Sequence, residues 1–267
     1  MIDTNNTVYA VAEGFSSVVV WPAGSAYPAK NISNNLSSPY SVFVTLDGDV
    51  YVDNGNTNHV VEKWTPGAST STVALHVTSL CGGLFVDLYG NLYCSISFSH
   101  RVVKKSVGVD ANTSITIAGT GSAGAASTML STPYGIFVDI DLSLYVADYG
   151  NHRIQLFRPG NLNGTTVAGT GAPGTINLTY PVCVVLDGDG YLFITDRTNS
   201  RIVASGPNGF RCIAACTGII GAAANQLQNP HGLSFDSHGN LFITDPGSNR
   251  IQKFTLARNA CGEFFQP

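Results

Sequence analysis

One motif recurs six times along the chain and dictates most of what it can become. A short apolar run carries an aromatic residue at its centre: Val8-Tyr9-Ala10, Val50-Tyr51-Val52, Leu92-Tyr93-Cys94, Leu144-Tyr145-Val146, Leu192-Phe193-Ile194 and Leu241-Phe242-Ile243. The aromatics fall 42, 42, 52, 48 and 49 residues apart. Eight residues after the aromatic stand Arg101, Arg153, Arg201 and Arg250, with His59 and Ser17 in the second and first units. A β-branched residue follows each: Val18, Val60, Val102, Ile154, Ile202 and Ile251. Self-similarity of this period marks a repeat architecture, because one unit cannot bury its apolar face alone.

Within each unit, short alternating runs are separated by turn residues, the pattern of strands rather than helices. In the fourth unit they are 135–140, 144–147, 153–157 and 164–169. Asp141-Leu142-Ser143 joins the first two, and Asp47-Gly48-Asp49 and Asp187-Gly188-Asp189-Gly190 do so elsewhere. Such residues turn a hairpin at little steric cost. Four strands per unit predict an all-β fold: a six-bladed β-propeller of four-stranded antiparallel blades.

The residues also carry a family resemblance. The segment 144–155 resembles a full NHL repeat, with Asn151-His152 where the family name places them. The segments 193–202 and 242–251 are close variants, but Asn54 and Ile96 replace the usual Asp in units two and three. The first unit has Ala12 and Ser17 at the Asp and Arg positions. The resemblance spans essentially the whole chain and implies the NHL type of propeller. It leaves function open, since such propellers include RNA binders, protein-interaction modules and a few lyases.

The units divide the chain into blades near 1–36, 39–78, 80–120, 133–172, 181–218 and 230–267, one domain expected to be part of a longer polypeptide. Met1–Asp3 align with the tail of an innermost strand, so residues before Met1 are expected to complete it. Blade six should close the ring by packing on blade one.

The pairs Asp148/Arg153, Asp196/Arg201 and Asp245/Arg250 flank the turn between second and third strands and should pair across it. Because they recur in every well-formed unit, they read as structural rather than ligand-binding. Two G-x-G-x-x-G matches, 119–124 and 169–174, would suggest a dinucleotide loop only if a helix followed. A Pro and an innermost strand follow instead, so they read as inter-blade loops. The Asp-rich turns read as turn chemistry rather than calcium sites.

In the family's amidating lyases the resemblance places zinc-binding His just after the Pro that opens an innermost strand. Here those positions hold Tyr40, Gly82 (after Cys81), Tyr134, Val182 and His231. A catalytic zinc site wants three converging protein ligands, and only one of the five is His. No metal or other cofactor is expected. Tyr40, Tyr134 and His231 are instead the candidate ligand-binding residues at the channel mouth, with a channel plug as their plain structural alternative.

Charge is scarce: 13 Lys and Arg and 17 Asp and Glu, 11 % of the chain, with a net charge of −4. That excludes a charge-rich disordered chain and argues against nucleic-acid partners, which need many cations. No apolar run approaches the roughly 18–20 residues of a membrane-spanning helix. Six glycosylation sequons occur, at Asn5, Asn31, Asn35, Asn112, Asn163 and Asn177. Of six Cys, Cys212 and Cys216 should close a small loop, and Cys81 and Cys94 are a second candidate disulfide. A hairpin centred on Tyr89-Gly90 would set Cys94 opposite Phe85, with Cys81 four residues too far along. Cys183 is expected to be a buried thiol on an innermost strand.

These features predict a secreted or cell-surface, non-catalytic module that binds a protein or a glycan. One alternative is a building block of an extracellular fibre or matrix, partnered by copies of itself. The other is a metal-dependent lyase or lactonase-like enzyme using the channel.

Overall fold

The structure is a computed structural model that describes residues 1–34, 36–54, 58–259 and 262–266. They form six antiparallel sheets in chain order. Blade one holds Val8–Ala12, Ser17–Trp21 and Lys30–Ile32. Blade two holds Val42–Val44, Val50–Asp53, Val60–Trp64 and Thr72–His76. Blade three holds Cys81–Val86, Leu92–Ile96, Arg101–Lys105 and Ile115–Ala118. Blade four holds Pro133–Val138, Leu144–Asp148, Arg153–Phe157 and Thr165–Gly169. Blade five holds Pro181–Leu186, Leu192–Asp196, Arg201–Ala204 and Arg211–Ala214. Blade six holds Leu233–Phe235, Leu241–Asp245, Arg250–Asn259 and Gly262–Gln266.

Blade one has three strands, and the stub of a fourth: Ile2 bridges Val8, and Met1 and Tyr9 exchange backbone hydrogen bonds. The ring closes here. The Ile2 amide donates to Ser234 Oγ (3.2 Å), and the Asn6 side chain bonds both the amide and the hydroxyl of Ser237.

The core lies between blades, where the faces of neighbouring sheets meet. Tyr93, Val102, Ile136, Leu144 and Phe157 form one such cluster between blades three and four. Leu192, Ile194 and Val203 of blade five pack on Ala147 and Ile154 of blade four. The repeat aromatic is a lid on this packing: Lys63, Lys104 and Lys253 lie over the rings of Tyr51, Tyr93 and Phe242 at 5.4, 5.4 and 5.3 Å.

The hairpin between innermost and second strands is held by an aspartate in every blade but the second, where the Thr45 hydroxyl takes the Asp49 amide instead. Asp87 Oδ1 accepts from the amides of Tyr89 and Asn91, and Asp236 Oδ1 from those of His238 and Asn240. Asp187 likewise takes the amides of Asp189 and Tyr191. These carboxylates are spent on turn amides, as turn chemistry requires.

The Asp–Arg pairs form as expected, through Nε alone. Arg153, Arg201 and Arg250 reach Asp148, Asp196 and Asp245 at 2.7, 2.9 and 3.0 Å. Their remaining donors hold the incoming inter-blade loop. Arg153 donates to the carbonyls of Ala125, Ala126 and Met129, and Arg250 to those of Ala222, Ala223 and Gln226. The second carboxylate oxygen takes a loop amide: Ser131, Thr179 and Gln228 in the three blades. Each pair therefore ties a blade to the loop that enters it. Both G-x-G-x-x-G segments lie in such loops, with no helix after them. Gly119 and Gly169 have φ of 79° and 83°, and a Cβ there would strike the carbonyl oxygens of His100 and His152.

Two details correct the sequence reading. The turn of blade two is one residue longer, so His59 takes the left-handed position (φ 55°) that His100 and His152 hold in blades three and four. Val60, not His59, begins the third strand where Arg101 does in blade three. The second concerns Cys81, which is bonded to Cys94. The hairpin centres on Tyr89, Leu84 pairs with Cys94, and a bulge between Cys81 and Leu84 takes up the excess length. The Cα atoms then stand 5.3 Å apart, within disulfide range. Gly82 and Gly83 make that bulge; a Cβ on Gly83 would press on the blade-four backbone. The Cys212–Cys216 bond is present with Cα atoms 5.8 Å apart, whereas Cys261 lies outside the described residues. Cys183 is on the innermost strand of blade five, half-buried rather than fully buried as expected, and desolvation pushes its thiol up.

Candidate functional site at the channel mouth

Strand alternation puts the starts of the innermost strands and the turns between second and third strands on one face. Tyr40, Tyr134 and His231 come from blades two, four and six, so alternate blades send one ring each over the channel. The three expected residues meet there. Tyr40 Oη lies 2.8 Å from His231 Nε2. The Tyr134 ring is 5.8 Å from Tyr40 and 5.9 Å from His231, edge-on to the latter. Gly82 and Val182, in the intervening blades, contribute no ring.

The aromatic surface continues outward from Tyr134. Tyr149, in the turn of blade four, sits 5.0 Å from it, and Tyr180, in the loop entering blade five, 4.7 Å further. His152 packs edge-on against Tyr180 at 4.3 Å and accepts its amide on Nδ1. His100 accepts the Thr132 amide in the same way. Both histidines thus hold loops. Arg197, in the turn of blade five, donates to the Tyr149 hydroxyl at 3.5 Å.

Burial first, and the Arg197 charge second, push the His231 pKa down to about 4. The ring is therefore neutral at physiological pH. The sign of the stability effect follows. The unfolded chain takes a proton near pH 6.5 and the folded chain near 4, so stability is complete above 6.5 and falls as pH drops toward 4. We expect this histidine to remove on the order of 2–3 kcal/mol over that window. Urea denaturation at pH 7.5 and pH 4.5 measures it, and His231→Gln should shrink the difference by that amount.

Tyr149, Tyr180 and Arg197 were not expected from sequence. Tyr149 and Arg197 each lie four residues after the repeat aromatic, directly after the structural Asp. In that column the six units have Glu13, Gly55, Ser97, Tyr149, Arg197 and Pro246. A column that varies beside one that repeats was the available signal. Among the described residues, no three His, Cys, Asp or Glu side chains stand together as a metal site.

A family profile described as NHL repeat matches residues 227–254, the end of the loop that enters blade six together with its innermost and second strands and the first half of its third. Blade six thus carries a recognised NHL repeat, and the six-bladed fold is consistent with the NHL type. Over 150 residues the chain is 27 % identical to the ubiquitin-protein ligase TRIM32 of Mus musculus, covering 52 % of this chain and 22 % of that protein. It is 26 % identical to the human protein over the same share. The chain thus matches about a fifth of the length of these curated relatives. Among solved structures, a catalytically inactive virginiamycin B lyase from Staphylococcus aureus with quinupristin superposes with a TM-score of 0.67 at 14 % identity, over 100 % of this chain and 82 % of that one. A chain of a Nidogen/Laminin complex gives 0.68 at 16 %, over 98 % and 93 %. An auxiliary nutrient binding protein from Bacteroides thetaiotaomicron gives 0.73 at 16 %, over 100 % and 68 %. At these identities the likeness is one of fold. That fold supports a binding or scaffold role. No described helix is long and apolar enough to cross a membrane.

Proposed function

We propose that this propeller is a non-catalytic binding module whose ligand docks at the channel mouth. The carrying observation is the continuous aromatic surface from Tyr40 and His231 through Tyr134 and Tyr149 to Tyr180. Ring faces with polar tips suit a docking surface, since they give large contact area at little conformational cost. A catalytic role is disfavoured by His231 itself. A general base works best with a pKa near the working pH, and one near 4 leaves little driving force for taking a proton. Proteins of the same fold include one solved as part of a complex and one described as nutrient-binding.

The setting we propose is extracellular. Two disulfides are compatible with an oxidising compartment. Asn5, Asn31, Asn112, Asn163 and Asn177 are all exposed, as an acceptor must be, while Asn35 lies outside the described residues.

A glycan array probed with the wild type and with Tyr134→Ala tests the reading. Tyr134→Ala should abolish any binding seen while the melting temperature holds within a few degrees. Undiminished binding would move the ligand away from the mouth.

A further inference from the structure

We propose that the mouth recognises a carboxylate-bearing sugar and that Arg197 is its anion anchor. This rests on the mouth being the binding surface and adds the class of ligand.

Two arginines on this face lack an aspartate partner and have a buried, unpartnered Nε: Arg101, opposite Ile96 in blade three, and Arg197, which is the one that bonds a mouth aromatic, Tyr149. Arg153, Arg201 and Arg250 are each paired with an aspartate. Arg197 makes no ion pair among the described residues. Its neighbour Asp196 is fully committed, to Arg201, Asn199 and the Thr179 amide. The one bond of Arg197 is the long contact to Tyr149, and its Nε is buried with no partner. An unsatisfied buried donor on a charged group is costly to keep, so it marks a place where an acceptor is wanted. The planar guanidinium fork matches a carboxylate, which takes two parallel hydrogen bonds from it. His231 is neutral beside it, so the mouth offers one net positive charge and suits a singly charged ligand.

The groups around Arg197 favour a sugar over a peptide. A peptide docking as an added strand needs free backbone partners. At the mouth, the amides of Thr132 and Tyr180 are donated to His100 and His152, and that of His231 to Thr244. What remains is side chain: the tilted rings of Tyr134, Tyr149 and Tyr180, their hydroxyls, and the guanidinium. Apolar ring faces take the C–H face of a pyranose, while hydroxyls and the guanidinium take its polar edge.

Calorimetric titration with sialyllactose and a glucuronate disaccharide, against lactose and a hexaglutamate peptide, tests the proposal. At least one acidic sugar should bind more tightly than lactose. Arg197→Gln should weaken that binding about 10–100-fold, the range for a lost charge-assisted hydrogen bond, and leave lactose unaffected. Arg197→Lys should restore part of it. Equal binding of acidic and neutral sugars, or no binding of either acidic sugar at millimolar concentration, would overturn the proposal. So would a preference for hexaglutamate, which would make the mouth a site for acidic peptides. Tyr134→Ala separates the two readings. If it leaves every probe's binding intact, the mouth is not the binding surface. If it abolishes binding while Arg197→Gln does not, the mouth stands and the anion anchor falls.

Discussion

Asp148→Ala should cost this propeller about 3–5 kcal/mol of stability, the range for stranding one partner of a buried ion pair. Asp148 is fully buried and the Arg153 side chain is only 8 % exposed. Burial pushes the Asp148 carboxyl up, while the Ser131 amide, Asn151 and Arg153 pull it down and hold it in place. Without it, the guanidinium has no route to water, and the Ser131 amide and the Asn151 side chain each lose an acceptor. The pairs in blades five and six set the contrast. Their arginines are 26 and 27 % exposed, so water can replace the lost oxygen. Asp245→Ala should then cost only about 1–2 kcal/mol. Urea denaturation of the two variants reads the difference directly. Equal losses would mean that the depth of the arginine does not set the cost.

Phe157→Ala should be as damaging for a different reason. Phe157 is 2 % exposed and fills the space between blades three and four with Leu130, Ile136 and Val146. Gly164 lies so close that a Cβ on it would stand 2.8 Å from the ring. Truncation there leaves a cavity that strands cannot collapse to fill, at about 3–5 kcal/mol. Phe157→Leu keeps most of the volume and should cost about 1 kcal/mol. Unfolding midpoints of the two variants that coincide would show that the site relaxes.

The repeat was legible because the same hairpin geometry enforces it in blades four to six. Tyr145, Asp148 and Arg153 sit at fixed offsets since a hairpin of fixed geometry must bring them together. Where a blade departs from that geometry, spacing alone misleads. His59 shares an offset with Arg101, but one added residue in the turn moves it to the left-handed position. Cys81 and Cys94 are out of register on an ideal hairpin, and only the bulge at Gly82-Gly83 joins them. Tyr40, Tyr134 and His231 could be placed at the mouth because they start innermost strands. Tyr149 and Arg197 escaped because their column has no repeat to betray it. Their meeting depends on two turns from different blades leaning together.

Blade three is one of three blades that lack the repeat aspartate, and it is the one where Cys81 is bonded to Cys94. In blades four, five and six a carboxylate fastens the end of the second strand to the chain about to become the innermost one. In blade three a sulfur–sulfur bond spans the same two strands. From blade three to blade six, one joint is therefore of a different material from the other three. A thiol reductant would act on this joint and on none of those three, freeing the lead of blade three beside the channel while they stay fastened.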